Sequence, residues 1–148
     1  LQARPSGAMW CSVSWGLNTP HKRTSVLGLL RRKSVDLALL SETHHLKTDA
    51  GRLADKFYHV IASSSASTKI RGVTVVAKRN LNIKVLDVWA DTTGRIAIAK
   101  VECSNREIAL VSAYAPNSFE GDFYNIKGGL LPNSVHGLTI QGELTNGT

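Results

Sequence analysis

The sequence predicts a layered α/β domain with a mixed sheet, and three observations carry the prediction. A short strand near the start leads into a basic amphipathic segment and then an apolar run of strand length. From Gly72 onward come four β-branched runs with turn residues between them. The chain also has 148 residues, 43% hydrophobic and 20% charged, enough for one domain with a real core and too apolar for disorder. Connections of hairpin length cannot join parallel strands, so an all-parallel sheet is excluded.

In order, Cys11 to Trp15 reads as the first strand. Lys22 to Lys33 carries Val26, Leu29 and Leu30 at helical spacing, with Leu27 beside them and basic residues opposite. Thr19 and Pro20 just ahead suit a helix entrance. Val35 to Leu40, "VDLALL", is apolar throughout, as expected of a strand buried on both faces. The polar loop "SETHH" ends it. Thr48 is placed to cap a short helix through "DAGRLADKF", Tyr58 to Ala62 reads as a strand, and a serine-rich loop follows. "GVTVVAKR", "IKVLDVWAD", "RIAIAKVE" and "EIALVSAY" then predict an antiparallel meander, with "NLN", "TTG" and "CSNR" as its hairpin turns. Pro116 stops the last strand, and "FEGDFYNI" has the length of one or two helical turns. Gly128 to Thr148 holds five of the twelve glycines and no Lys or Arg. Its apolar runs, around Leu130 and Leu138, look too short to complete a layer, which predicts a loosely ordered tail.

The net charge is +7 and the sequence pI about 9.7, which favours polyanionic partners and equally favours plain solubility. Lys22, Arg23, Arg31, Arg32 and Lys33 form one basic cluster. Lys69, Arg71, Lys78, Arg79 and Lys84 form another, with no acid from Ile61 to Leu86. No apolar run reaches the roughly 18 residues needed to cross a bilayer, and "LQARPSGAMW" lacks a secretory signal's apolar stretch. The expectation is an intracellular protein with no membrane partner and no small-molecule cofactor. The absence of an initiating Met predicts a clipped or conceptually translated piece. Cys11 and Cys103 belong to no C-x-x-C pair and read as small apolar strand residues.

Glu42 follows the end of a buried strand, where α/β folds place ligands, and its oxygens suit a hard cation such as Mg²⁺. One carboxylate is a weak metal site, so spacing alone favours a solvated loop residue. His44 and His45 are adjacent and do not point the same way, and His21, His59 and His136 are scattered. Tyr114 and Asn117, in "SAYAPN", can donate to phosphate oxygens or simply finish the strand and its turn. "GDFYN", Gly121 to Asn125, has D-x-x-N spacing and no buried strand before it, so it reads as coincidence.

Taken together, "VDLALLSETHH", "RGVTVVAKRNL", "TTGRIAIAKVE" and "ALVSAYAPNS" resemble the endonuclease/exonuclease/phosphatase superfamily. The likeness is nearest to the endonuclease domain of LINE-type non-LTR retrotransposons and runs from Ser12 to Ile126. It implies a four-layer α/β sandwich with mixed sheets, of which the C-terminal half is missing here. The domain division is then 1–10 as a tail, 11–126 as the partial domain and 127–148 as an unrelated tail. It also implies Mg²⁺-dependent hydrolysis of DNA phosphodiesters, with Glu42 as metal ligand, Tyr114 on the scissile phosphate and Asn117 in the same cleft. Lys22, Arg23 and Arg71 are the nucleic-acid contacts it suggests.

The departures matter as much. Such endonucleases read W-N-x-N-G-L-N at the end of the first strand, whereas this chain reads "SWGLN", without the metal-site asparagine. Asn18 matches the later asparagine. Ser41 stands where glutamine is usual, which weakens a neighbouring hydrogen bond. The G-D-F-N and S-D-H motifs are not found, so a catalytic unit that works only when whole is incomplete. The truncation is expected to leave one sheet's inner face without its partner. The expectation is therefore an endonuclease fragment that does not cleave as it stands, acting in the nucleus if expressed. The alternatives are a non-enzymatic basic domain that binds nucleic acid, or a transposon relic without function.

Overall fold

The computed structural model describes residues 10–14, 16–17, 19–68, 70–114 and 138–142. Strands β1 (Trp10–Ser14), β2 (Leu37–Ser41), β3 (Tyr58–Ser64) and β4 (Val73–Lys78) form one sheet, in the order β1-β2-β4-β3. Strands β5 (Lys84–Ala90), β6 (Ile96–Cys103), β7 (Arg106–Ala113) and β8 (Leu138–Gly142) form a second, in chain order. Each sheet is antiparallel over three strands and gains one parallel edge strand, β1 beside β2 and β8 beside β7. The predicted mixed α/β architecture is what the chain adopts.

Helix α1 (Pro20–Arg32) makes the crossover that the parallel pair β1–β2 requires. Thr19, extended, accepts the Lys22 N–H on its hydroxyl at 3.3 Å, and Pro20 fills the first turn where its missing N–H costs nothing. Arg31 and Arg32 in the last turn complement the helix dipole. Val26, Leu27 and Leu30 go down onto Leu17, Val35, Ala38, Leu40, Tyr58 and Val76.

A second core lies between the sheets. Leu37, Leu39, Ala62, Val73, Val75 and Ala77 of the first pack on Ala97, Ala99, Val101 and Leu110 of the second. This explains why β2 is apolar from Leu37 to Leu40: its two faces feed two cores. It also corrects the expectation of an unpartnered inner face, because the inner faces meet each other. The described layers are helix, sheet, sheet.

Three further expectations are corrected. "NLN" is not a hairpin turn; β4 and β5 lie in different sheets and this segment carries the chain across. The true hairpins join β5 to β6 and β6 to β7, the latter through Ser104 and Asn105, both at positive φ as a two-residue turn requires. Thr48 caps nothing: Lys47–Arg52 is a 3-10 helix entered at Leu46. Leu138–Gly142, assigned to a tail, pairs with Ala109–Ala113 as an edge strand, five residues being enough once β7 supplies the template. At the opposite edge β5 is exposed along almost its whole length, Val85, Leu86, Val88 and Trp89 included.

Candidate functional site

The strand registers define one end of the sandwich. Ser41, at the end of β2, stands beside Ser14 at the end of β1 and Val73 at the start of β4. Ala113, at the end of β7, stands beside Ile96 and Gly142. A hydrogen bond joins the two sheets here, from the Ser112 hydroxyl to the Leu40 carbonyl at 3.0 Å. Glu42 and Tyr114, one residue past their strands, therefore leave the same end of facing sheets.

Glu42 and His44 both have left-handed backbone, φ 53° and 56°. Such a conformation costs a non-glycine residue about 1–2 kcal/mol, so the surroundings must impose it. They do so through Thr43, whose N–H donates to the Gly72 carbonyl at 3.1 Å and whose carbonyl accepts the Leu17 N–H at 2.7 Å. The His44 N–H donates to the Arg71 carbonyl at 3.0 Å. Gly72 has φ 137° and lies so close to the Thr43 hydroxyl that no Cβ fits, which is why glycine follows Arg71.

The basic residues singled out for nucleic acid gather around this loop. A Cβ on Gly16 would stand 3.3 Å from His44 Nδ1 and 3.9 Å from Lys22 Nζ, so ring and ammonium both flank that glycine. The Arg23 guanidinium donates to the Leu17 carbonyl at 3.2 Å. Arg71 donates to the Thr93 carbonyl at 3.4 Å. Arg95 is beside Tyr114: the Tyr114 N–H donates to the Arg95 carbonyl at 2.8 Å, and the guanidinium lies 6.0 Å from the ring centre.

His45 belongs to the fold. Its Nε2 lies 2.6 Å from the Leu17 carbonyl, so Nε2 carries the proton and donates, while Nδ1 is buried without a partner. Burial is the main cause holding its pKa below the ordinary value; the Leu17 carbonyl pulls the other way and nearby Arg23 lowers it again.

The remaining basic residues sit elsewhere. Arg31 stacks on Phe57 at 3.7 Å, Lys78 faces Asp36 at 3.8 Å, and Arg79 donates to the Asp55 carbonyl at 2.7 Å. The two sequence clusters are therefore cut by strand β4 and helix α1, each with one end at Glu42 and the other about 15–20 Å away. Asn117, like Trp15 and Asn18, lies outside the described residues.

Among the described residues, no three His, Cys, Asp or Glu side chains are grouped to hold a metal ion. Mg²⁺ seeks six oxygens, typically one or two carboxylates completed by water and phosphate. Glu42 offers one carboxylate, and the described residues by themselves do not make up that site. Sequence reasoning did not single out Asp91 and Arg95, which lie in the D-x-x-G-R hairpin that forms part of the resemblance.

No protein-family model matches the chain. Solved structures do. AP endonuclease LMAP from Leishmania major superimposes with a TM-score of 0.63 at 16% identity, over 91% of this chain and 54% of that one. The endonuclease domain of TRAS1, a telomere-specific non-LTR retrotransposon, gives 0.56 at 14% identity, over 88% and 57%. The APE2 catalytic domain of Xenopus laevis gives 0.50 at 13%, over 78% and 48%. The chain thus spans about half the length of each structure it matches. What it shares with them at these identities is the fold, a layered α/β sandwich of which this chain makes up part.

Proposed function

We propose that this chain is part of a Mg²⁺-dependent DNA endonuclease of the retrotransposon type, and that these 148 residues bind DNA without cleaving it. One observation carries the reading. Glu42 and Tyr114 leave facing sheets at the same end, and Lys22, Arg23 and Arg71 surround the Glu42 loop. Cations there meet phosphate, Tyr114 donates to a phosphate oxygen, and Asn117 completes the cleft. Glu42 is the residue that would hold the metal, which when bound polarises the phosphate and stabilises the leaving oxygen. His45 is locked on the Leu17 carbonyl and the His44 ring lies against Gly16, and the G-D-F-N and S-D-H motifs are not found in the sequence; this supports a reading of binding without hydrolysis. Such binding is independent of sequence, weakens steeply with salt, and acts on nuclear DNA.

The test is plasmid nicking by purified, folded chain with Mg²⁺, with EDTA, and in a Glu42→Ala variant, alongside mobility shifts over a salt series. No nicking with salt-sensitive binding is the expected result. Metal-dependent nicking lost in Glu42→Ala would overturn the inactive reading. Absence of any binding would leave the relic reading standing.

A further inference from the structure

Asp91 opens the connection between β5 and β6, and its carboxylate is engaged on every side. One oxygen accepts the N–H groups of Arg95 at 3.1 Å and Ile96 at 3.0 Å together with the Ser64 hydroxyl; the other accepts the Thr93 hydroxyl. Ser64 in turn accepts the Gly94 N–H at 3.0 Å. Burial pushes the Asp91 pKa up, but the bonds from Ser64, Thr93 and the two backbone amides outweigh it and hold the carboxyl below its usual range. This is a carboxylate used to fold a loop.

The loop so folded faces outward with its carbonyls. That of Gly94 accepts the Gly72 N–H at 3.1 Å, that of Thr93 accepts the Arg71 guanidinium, and that of Arg95 accepts the Tyr114 N–H at 2.8 Å. Backbone meets backbone here: a Cβ on Gly94 would stand 3.0 Å from the Ala66 nitrogen and 3.2 Å from the Gly72 nitrogen. Arg71 and Gly72 then pass the constraint on, since their carbonyls hold His44 and Thr43, the two residues directly after Glu42, in a stretch where Glu42 and His44 are left-handed. From the loop that Asp91 holds, backbone hydrogen bonds lead in two steps to Thr43, next to Glu42, and in one step to Tyr114. The series crosses from one sheet to the other.

We propose that Asp91, clamped by Ser64, is the positioning residue of the candidate site. It fixes loop 91–95, and through Gly72 and Arg71 sets the Glu42 turn and the Arg71 guanidinium relative to Tyr114. Its effect on DNA rests on the function proposed above; its effect on the Glu42 turn does not. The bland alternative is a loop staple whose loss lowers stability everywhere alike.

Asp55 is the internal control. Its carboxylate also accepts two backbone N–H groups, of Phe57 at 2.7 Å and Tyr58 at 2.8 Å, but at the far end of the sandwich. The experiment compares amide hydrogen exchange in the whole chain for wild type, Asp91→Ala, Ser64→Ala, Asp91→Asn and Asp55→Ala, with titration of a short DNA duplex. Expected in Asp91→Ala, and more mildly in Ser64→Ala, is exchange about tenfold faster at Thr43, His44 and Gly72 with the α1–β2 core still protected. Asp91→Asn, which keeps the acceptor facing Arg95 and Ile96, restores protection; Asp55→Ala leaves those three amides unchanged. DNA affinity falls about tenfold in Asp91→Ala and no further when Arg71→Ala is added, because both remove the same contact. Unchanged protection at Thr43 and His44, or equal losses in the Asp91 and Asp55 variants, would overturn the proposal. Should Asp91→Ala not fold, Ser64→Ala decides by the same amides. Should wild type bind no DNA, the proposed function falls, and the exchange pattern still decides the role of Asp91.

Discussion

The two ends of the sandwich use the same residue types for different purposes. At the far end Tyr58 donates to the Val35 carbonyl at 2.7 Å, Asp55 ties down Phe57 and Tyr58, Arg79 holds the Asp55 carbonyl and Arg31 covers Phe57. Each bond there closes a chain crossing between neighbouring elements. At the Glu42 end the bonds run backbone to backbone between loops, and Lys22, Arg23, Arg71 and Arg95 collect around them. Charge alone does not separate the ends; what the charges are bonded to does.

Substitutions sharpen or break this contrast. Leu30→Ala, beneath α1 and wholly buried, is expected to cost about 2–5 kcal/mol in urea unfolding while folded protein keeps its DNA affinity. Gly72→Ala should cost about 1–3 kcal/mol and, unlike Leu30→Ala, also abolish whatever the Glu42 turn does, because positive φ and the Thr43 hydroxyl both oppose a Cβ. Tyr58→Phe and Arg71→Ala form a reciprocal pair. The first should lose about 1 kcal/mol of stability and no binding; the second should lose binding, with a salt slope smaller by about 1, and little stability. If each variant lowered both quantities, the division of labour between the ends would be wrong.

The smallest effect concerns pH. His45 is neutral in the fold, with a buried bare Nδ1, and its pKa is lowered; burial, then Arg79, lowers His59 as well. The unfolded chain takes up protons near pH 6.5 and the folded chain only below that. In the interval the unfolded state binds more protons, so stability is complete above about pH 6.5 and declines as pH falls. Urea midpoints at about pH 7.5 and about pH 5.5 should show the drop, and His45→Gln should reduce it. Asp91, lowered too, keeps its contribution until the pH falls below the usual carboxylate range.

Much of this was legible beforehand. The apolar run before Glu42, the Thr19–Pro20 entrance to α1 and the Ser104–Asn105 turn each follow local rules that the fold obeys. The change of sheet after β4 was not legible, because "NLN" suits a hairpin as well as a crossing and only packing decides between them. Nor was β8, whose pairing depends on β7 rather than on its own composition. That Glu42 and Tyr114 stand directly after strands was legible, but their selection as candidates came from the resemblance and not from position alone. Asp91 was missed because its partners come from β3, Thr93 and the Arg95–Ile96 backbone, which no spacing rule connects. The two basic clusters misled in the same way: residues near in sequence lie toward opposite ends of helix α1 in one case and of strand β4 in the other.

The contact between Gly72 and Gly94 also bears on how such a chain ages under mutation. Neither position accepts a side chain, and their backbones touch, so damage at one cannot be relieved by shrinking the other. Most apolar positions in the two cores can exchange one hydrocarbon for another of similar volume and drift freely. These two glycines cannot drift at all. In a lineage released from selection, the hub beside Glu42 would be the first part of the molecule to fail, while its cores still folded.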